Sequence, residues 1–214
     1  MHTTPSATDR AYQYTKDAIL TRRIAGGELV SEGAIADGVG VSRTPVREAL
    51  LRLEAEGLVR LYPKRGALVV PVSQAEIDDV IETRRLVEGY TAERAAAAEP
   101  QERAALADRL GELLDRMRVE AEGDRRAFIV ADRDFHRAIV AAAGNEIFAT
   151  LYDTLRDRQL RMMEEGTRTV ARMRANIDEH AEILAAVRSG DPDAARGAVR
   201  AHMDSAARLL GARR

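Results

Sequence analysis

Apolar residues recur at helical spacing along most of this chain, and the clearest such stretch runs from Val41 to Leu53. Within it Val46, Leu50 and Leu53 fall three or four residues apart, which is the spacing of one helix face. Pro45 stands in the first turn, where the N–H that proline lacks would have no intrahelical partner. The stretch therefore predicts a helix that is anchored from behind by its apolar face.

The first turn of this helix carries side chains that suit DNA. Ser42 is expected to be the N-cap residue, with its hydroxyl accepting from N–H groups of that turn. Arg43, Thr44 and Arg47 are expected to point outward. The N-terminal end of the second helix of a helix-turn-helix enters the major groove, where arginine forks to guanine. A surface helix with solvated arginines is the alternative interpretation.

The neighbouring segments complete a winged helix-turn-helix over residues 10–72. The expected elements are a helix over residues 11–24 ended by Gly26-Gly27, a short helix over 32–37 capped by Ser31, the recognition helix to Glu56 with Gly57 after it, and a β-hairpin of residues 58–62 and 67–70. Residues 1–9 are expected to be a disordered tail.

The turn of the expected hairpin forms a small basic tip. It contains Lys64, Arg65 and Gly66 after Pro63. Such a tip can enter a minor groove or lie along phosphates. Beside a recognition helix we interpret it as a DNA contact, and an ordinary solvated turn is the alternative.

From Ser73 onward the pattern changes to helices alone, and it predicts a second domain over residues 73–214. Ser73 and Glu76 match a capping box, which begins the first helix. The expected helices cover residues 74–98, 100–122, 125–143, 146–165, 170–189 and 192–210. Short breaks between helices favour antiparallel neighbours in a bundle. The fold class is therefore mainly α, with a winged helix-turn-helix followed by an all-α antiparallel helical bundle.

Composition narrows the class of protein. The 214 residues include no cysteine, which excludes disulfides and thiolate sites, and no apolar run approaches a membrane span. Residues 10–72 carry 10 basic against 7 acidic residues, whereas residues 73–214 carry 23 against 27. We expect a soluble cytoplasmic protein with a mildly basic DNA-binding head and no membrane partner.

Histidines on the apolar stripes of the second domain predict a metal site. Asp132 and His136 lie one turn apart on one helix, and His180 and His202 lie on the stripes of two others. A buried carboxylate needs a partner or a metal, and an Asp-His-His-His set suits Zn, Ni, Mn, Fe or Co. The alternative is an Asp–His ion pair with two unrelated histidines.

The chain resembles the GntR family of bacterial transcription regulators, and within it the FadR-type subfamily with an FCD effector domain. The resemblance rests on GGELVSEGAIADGVGVSRTPVREALLRLEAEGLV and the wing PKRGALVV in the head, and on IETRRLVE, ADRDFHRAIVAAAGN, DEHAEIL and AHM in the body. With six expected helices in the body rather than seven, the chain is similar to the vanillate-regulator branch of that subfamily.

The resemblance implies roles for individual residues. In the head it implies DNA contacts by Arg43, Thr44 and Arg47 and a wing glycine at Gly66. The sequence departs from the family at Gly33, where some members have an arginine that contacts DNA.

In the body the resemblance assigns Asp132, His136, His180 and His202 as metal ligands, with zinc the first expectation. It also places Arg84 near the effector pocket. Asn145 matches a further residue of the family motif, but its N-cap position explains it without ligand binding.

The resemblance implies a homodimeric repressor that binds a pseudo-palindromic double-stranded operator and responds to a small organic acid. The acid's carboxylate would take an open position on the metal and pair with Arg84. One alternative is a metal-dependent enzyme with an accessory winged helix, although Asp134 points away from the metal set and leaves no spare acid or base. Another is a winged helix that binds protein.

Overall fold

The computed structural model describes residues 5–155, 158, 160–162 and 169–211. The chain divides into two compact units, Met1–Val72 and Ser73–Arg214. Helix dominates both units, and every strand that the structure describes lies in the first. The expected fold class, a winged helix-turn-helix followed by a helical domain, is confirmed.

The helices of the first unit are α1 (Ala7–Leu20), α2 (Glu32–Val39) and α3 (Arg43–Ala55). The prediction of a disordered tail over residues 1–9 is wrong where the structure describes it. Ser6 caps α1, because its hydroxyl accepts from the N–H of Asp9 at 3.0 Å. Met1–Thr4 lie outside the described residues. The helix also ends earlier than expected, with Thr21 as its C-cap residue.

A three-stranded antiparallel sheet forms the wing. Its strands are β1 (Leu29–Val30), β2 (Val59–Tyr62) and β3 (Gly66–Val69), in the order β1-β3-β2. The predicted hairpin is confirmed as the β2–β3 pair. Strand β1 was not predicted, because two residues are too few to show alternation. The apolar faces of α1, α2 and α3 and the inner face of the sheet make one core.

The second unit is built from α4 (Gln74–Ala96), α5 (Pro100–Glu120), α6 (Arg125–Ala142), α7 (Glu146–Thr154), α8 (Val170–Ser189) and α9 (Pro192–Leu210). The expected capping box is present, since the hydroxyl of Ser73 accepts from the N–H of Glu76. Helix α4 packs against α9, and α5 packs against α6 and α8. Phe128, Phe135 and Ile139 are fully buried between them. None of the described helices is both long enough and apolar enough to cross a membrane.

One predicted helix is interrupted. The continuous helix expected over residues 146–165 is wrong, because α7 ends at Thr154 and Leu155 forms a turn. Residues 158 and 160–162 are helical again, and residues 163–165 lie outside the described part of the chain. In this second stretch Arg161 is buried and its Nη2 donates to Glu76 Oε1 of α4 at 2.7 Å. The break in the helix is thus accompanied by a contact between residues 85 positions apart, which sequence periodicity cannot reveal.

Gly66→Ala is expected to lower the free energy of unfolding by roughly 1–3 kcal/mol. The φ angle of Gly66 is +112°, and an added Cβ would lie 2.3 Å from the carbonyl oxygen of Val30. Gly57→Ala is the matched control, because Gly57 also has positive φ but faces open space. Urea unfolding should show the larger loss for Gly66→Ala, and equal losses would contradict the close approach of β1.

Candidate nucleic-acid interface and metal centre

The apolar face of α3 anchors its exposed first turn. Val46, Leu50 and Leu53 are at most 1% exposed, and they pack into the core of the first unit. Ser42 occupies the N-cap position, but its side chain makes no capping hydrogen bond, so that detail of the prediction is wrong. Its hydroxyl is exposed instead, like the side chain of Thr44.

The recognition helix and the wing line one cleft of about 680 Å³. The cleft contains Arg43 and Arg47 from α3 and, from the wing, Lys64, Arg65 and Gly66. The structure therefore brings together five of the predicted DNA-binding residues, whereas Ser42 and Thr44 lie outside the lining. The basic lining and its size suit a phosphate backbone and a groove edge.

Two acidic residues, Glu32 and Glu54, also line the cleft, and sequence reasoning assigned neither of them to it. Glu32, at the start of α2, accepts from Arg47 Nε through Oε1 at 2.9 Å and from Arg47 Nη2 through Oε2 at 3.1 Å. These hydrogen bonds raise the pKa of Arg47 above its ordinary value. Glu32 precedes Arg47 by 15 residues in another helix, so no periodicity within one helix reveals the pair.

Two residues of the wing tip adopt backbone conformations with positive φ angles. Lys64 has a φ of +63° and Gly66 a φ of +112°. Only glycine leaves room at position 66 for the carbonyl of Val30. The close approach of β1 is therefore a sufficient reason for this glycine, with or without DNA.

In the second unit, three buried histidines meet. His136 of α6, His180 of α8 and His202 of α9 are each at most 3% exposed. One ring nitrogen from each lies within 4.8 Å of the others. The ring centroids lie 4.7–5.0 Å apart. The three predicted histidines are thus brought to one point by three separate helices.

Asp132 lies beside this cluster. It is 2% exposed, and its Oδ1 lies 3.3 Å from Nε2 of His180. Those two atoms and Nε2 of His136 are buried without a hydrogen-bond partner in the described part of the chain. Buried polar atoms are almost always satisfied, so these three are the atoms that a bound ion would complete.

The other ring nitrogen of each histidine faces an oxygen atom at close range. Nδ1 of His136 lies 2.7 Å from Oε2 of Glu88, and Nδ1 of His202 lies 2.7 Å from Oε2 of Glu179. Nδ1 of His180 lies 2.7 Å from the carbonyl oxygen of Asn176. Metal-binding histidines commonly present one nitrogen while the other bonds to a carboxylate or carbonyl. The arrangement therefore fits a divalent transition ion.

The electrostatics favour neutral imidazoles at His180 and His202. Burial, with the neighbouring His136 and His202, holds the pKa of His180 well below its ordinary value. Burial also lowers the pKa of His202, although its hydrogen bond to Glu179 opposes the change. A neutral imidazole has a lone pair available for a metal.

The two carboxylates around the histidines were not predicted. Burial alone would raise the pKa of Glu88, but the charge of Arg84 and the contact with His136 lower it to about 2. Nε of Arg84 donates to Oε1 of Glu88 at 2.6 Å, which makes a buried ion pair beside the histidine cluster. Their spacing of four residues in α4 was a usable signal. The pKa of Glu179 is also lowered to about 2, because hydrogen bonds from His202 and its neighbours outweigh the effect of burial. Sequence analysis did not assign Glu179 to the site, since it is adjacent to His180 and so does not share the apolar stripe.

The predicted effector residues have different surroundings. Arg84 is 7% exposed and is linked to His136 through Glu88. Asn145 is exposed at the N-cap of α7, where its Oδ1 accepts from the N–H groups of Ile147 and Phe148. Capping is a sufficient reason for this asparagine, and its ligand role stays a prediction.

Comparison with known proteins shows the same two parts. Residues 7–69 match the model of the bacterial regulatory proteins of the gntR family, and residues 79–205 match the FCD domain. An HTH-type transcriptional regulator from an unstable DNA locus of Streptomyces ambofaciens is 32% identical over 90% of this chain and 80% of its own. A protein assigned as the transcriptional repressor of the D-xylose utilization operon of Paenarthrobacter nicotinovorans is 30% identical, over 86% and 80%.

Solved structures share the fold. A protein from Rhodococcus sp. RHA1 assigned as a GntR transcriptional regulator superposes with a TM-score of 0.78 at 25% identity, over 98% of this chain and all of that one. The Zn²⁺-bound FCD domain of TM0439 is 24% identical and superposes with a TM-score of 0.50, over 65% of this chain and 95% of that one. The families and relatives are transcriptional regulators, so the enzyme alternative is not supported. The chain belongs to the GntR family of bacterial regulatory proteins, and its second part is an FCD domain.

Proposed function

We propose that this regulator is a repressor whose operator binding is controlled by a small organic acid bound at a divalent-metal site in its FCD domain. The observation that carries the proposal is the convergence of His136, His180 and His202, with buried atoms that have no hydrogen-bond partner in the described part of the chain. Residues 10–72 would read DNA in the cytoplasm, and residues 73–214 would bind the effector and form the dimer.

The DNA-reading part of the proposal rests on the cleft between α3 and the wing. Arg43 and Arg47 stand where a major groove would meet the first turn of the helix. Lys64 and Arg65 at the wing tip would hold phosphates or a minor groove. Ser42 and Thr44, which are exposed, would add hydroxyl contacts to the backbone.

The effector part rests on the cluster and on Arg84. A transition ion such as zinc, held by the three histidines and Asp132, would supply an open coordination position for an acid's carboxylate. Arg84 is buried beside the cluster and uses Nε to bond Glu88, so the acid would bind to its other N–H groups. Zinc is our first choice because a related FCD domain, that of TM0439, is described as Zn²⁺-bound.

Repression is proposed by similarity. The relative from Paenarthrobacter nicotinovorans carries the name of a repressor of a sugar-utilization operon. The effector would act by binding the DNA-bound and DNA-free arrangements of the dimer with different affinity, since only such a difference can shift the balance.

A homodimer is supported by an exposed apolar surface on the FCD domain. Leu86 and Tyr90 of α4 are 68% and 44% exposed, and Ile147 and Leu151 of α7 are 77% and 39% exposed. The ring of Tyr90 contacts that of Phe148, so the two helices present these residues side by side. Pairing through such a surface would allow two heads to read half-sites about 34 Å apart.

Arg47→Ala is expected to weaken binding to a selected operator duplex by roughly 1–3 kcal/mol, because arginine there forks to a base. The duplex is enriched from a random library with the unaltered protein, and affinities are measured by mobility shift at several salt concentrations. Arg52→Ala is the control, because Arg52 lies on the same helix but bonds Asp9 and stacks on Tyr12 outside the cleft. Equal loss on random DNA would show a phosphate contact only, and absence of any salt-dependent DNA binding would favour a protein-binding winged helix.

His180→Ala is expected to abolish zinc binding while operator binding is kept. At zinc about 100-fold above its Kd, the unaltered protein should gain roughly 5–10 °C in melting temperature. The variant should gain none. His2→Ala is the control for the loss of a histidine, since His2 is the one histidine of the sequence outside the predicted ligand set.

Small carboxylic acids should then alter operator affinity only in zinc-loaded protein, and His180→Ala should not respond. A His180→Ala protein that retains stoichiometric zinc by elemental analysis would refute the ligand assignment. Unaltered protein that binds no transition ion would refute the metal-controlled function.

Leu86→Glu is expected to convert the dimer into a monomer, because it places a carboxylate in the apolar surface. The protein should still fold, since Leu86 is 68% exposed in a single chain. Val119→Glu is the control, because Val119 of α5 is 72% exposed outside that surface. Sedimentation should show monomer for the first variant and dimer for the second. A dimer in both would place the interface elsewhere.

A further inference from the structure

Two carboxylates line the cleft that would meet DNA, and they have different partners. Glu54 accepts from a backbone N–H of β2 at 2.7 Å, whereas Glu32 bonds to the side chain of Arg47. A carboxylate among Arg43, Arg47, Lys64 and Arg65 repels phosphate and weakens the attraction that dominates protein–DNA affinity. Glu32 therefore needs a function that offsets this repulsion. Its two hydrogen bonds to Arg47 indicate what that function is.

The hydrogen bonds occupy one edge of the Arg47 guanidinium. Nε and Nη2 form that edge, and each donates to a different oxygen of Glu32. A guanidinium has five N–H groups in a rigid plane. The edge formed by Nη1 and the second N–H of Nη2 is not used by Glu32, and it has the fork geometry that matches O6 and N7 of guanine.

The carboxylate is itself held in place. Glu32 is the first residue of α2, where the helix N-terminus favours a negative charge. Ser31 fixes that turn by accepting from the N–H of Ala34 at 3.1 Å. Arg47 is 69% exposed in its side chain and would otherwise sample many rotamers. The contact with Glu32 therefore orders this arginine before DNA arrives, which lowers the entropy cost of binding.

We propose that Glu32 is a positioning residue for DNA specificity. It holds Arg47 so that the free edge of the guanidinium faces a guanine. Its negative charge also weakens the attraction between Arg47 and phosphates, so that random DNA is bound less well. The inference rests on the proposed reading of DNA by α3. It adds that selectivity for one base pair depends on an acidic residue of α2.

The test compares Glu32→Gln with Asp37→Asn, which removes one negative charge from the far end of the same helix outside the cleft lining. The probes are a duplex enriched from a random library with the unaltered full-length protein and an unselected random duplex. For Glu32→Gln the ratio of the two affinities should fall roughly 5- to 150-fold, the range expected for one bidentate contact. The loss should map to one G·C pair.

Salt dependence gives a second readout that a loss of stability would not produce. Freeing Arg47 to bind a phosphate should steepen the slope of log affinity against log salt on random DNA by about 0.9. Asp37→Asn should leave both the slope and the affinity ratio unchanged. Thermal melting of each variant identifies any that is misfolded, and Glu32→Asp, which keeps the charge, should retain part of the selectivity.

A double-mutant cycle establishes whether Glu32 acts through Arg47. In an Arg47→Ala background, Glu32→Gln should cause no further loss of selectivity, because the residue that it positions is absent. An unchanged affinity ratio for a folded Glu32→Gln protein would overturn the proposal, and so would the same loss with Arg47 present or absent. If the unaltered protein enriches no sequence at all, it is the proposed DNA-reading function that fails.

Discussion

Polar atoms in a protein interior need partners, and this constraint determines the arrangement of the FCD domain. Four ligand-type side chains, Asp132, His136, His180 and His202, are buried among apolar residues. The Nδ1 atom of each histidine lies 2.7 Å from an oxygen, of Glu88, Glu179 or a backbone carbonyl. Buried atoms on the other side of the cluster, such as Oδ1 of Asp132, have no hydrogen-bond partner in the described part of the chain. A fold that leaves such atoms facing one another is costly without an ion. The same interior also holds the Arg84–Glu88 ion pair, so the proposed metal and acid sites would lie next to each other.

In the winged helix-turn-helix, by contrast, the side chains proposed to contact DNA are exposed rather than buried. Exposed arginines are flexible, and flexibility weakens both affinity and selectivity. The apolar face of α3 fixes the helix, and the first turn of α2 fixes one arginine on it. The buried core thus holds α3 rigid, and the ion pair with Glu32 orders the exposed side chain of Arg47.

Periodicity within one helix predicted the parts of the site that lie on one helix face. It placed Asp132 and His136 one turn apart on the stripe that contains Phe135. It did not predict the contact of Glu88 with His136 or that of Glu32 with Arg47, because the two residues of each pair lie on different helices. Such pairs depend on how the helices are rotated against each other. The same reasoning explains the fold. The long amphipathic helices were predicted to within a few residues, whereas β1 and the break at Leu155 depend on contacts distant in sequence.

The wing and the first turn of α2 are joined by one short stretch. Val30 pairs with Ala67 in β3, Ser31 follows it, and Glu32 then holds Arg47. A shift of β1 along its neighbour would therefore carry the carboxylate with it and re-aim the guanidinium, although no residue of the recognition helix had changed. Related regulators can in this way acquire new binding-site preferences through substitutions that never touch a base, and comparing recognition helices alone would not detect that divergence.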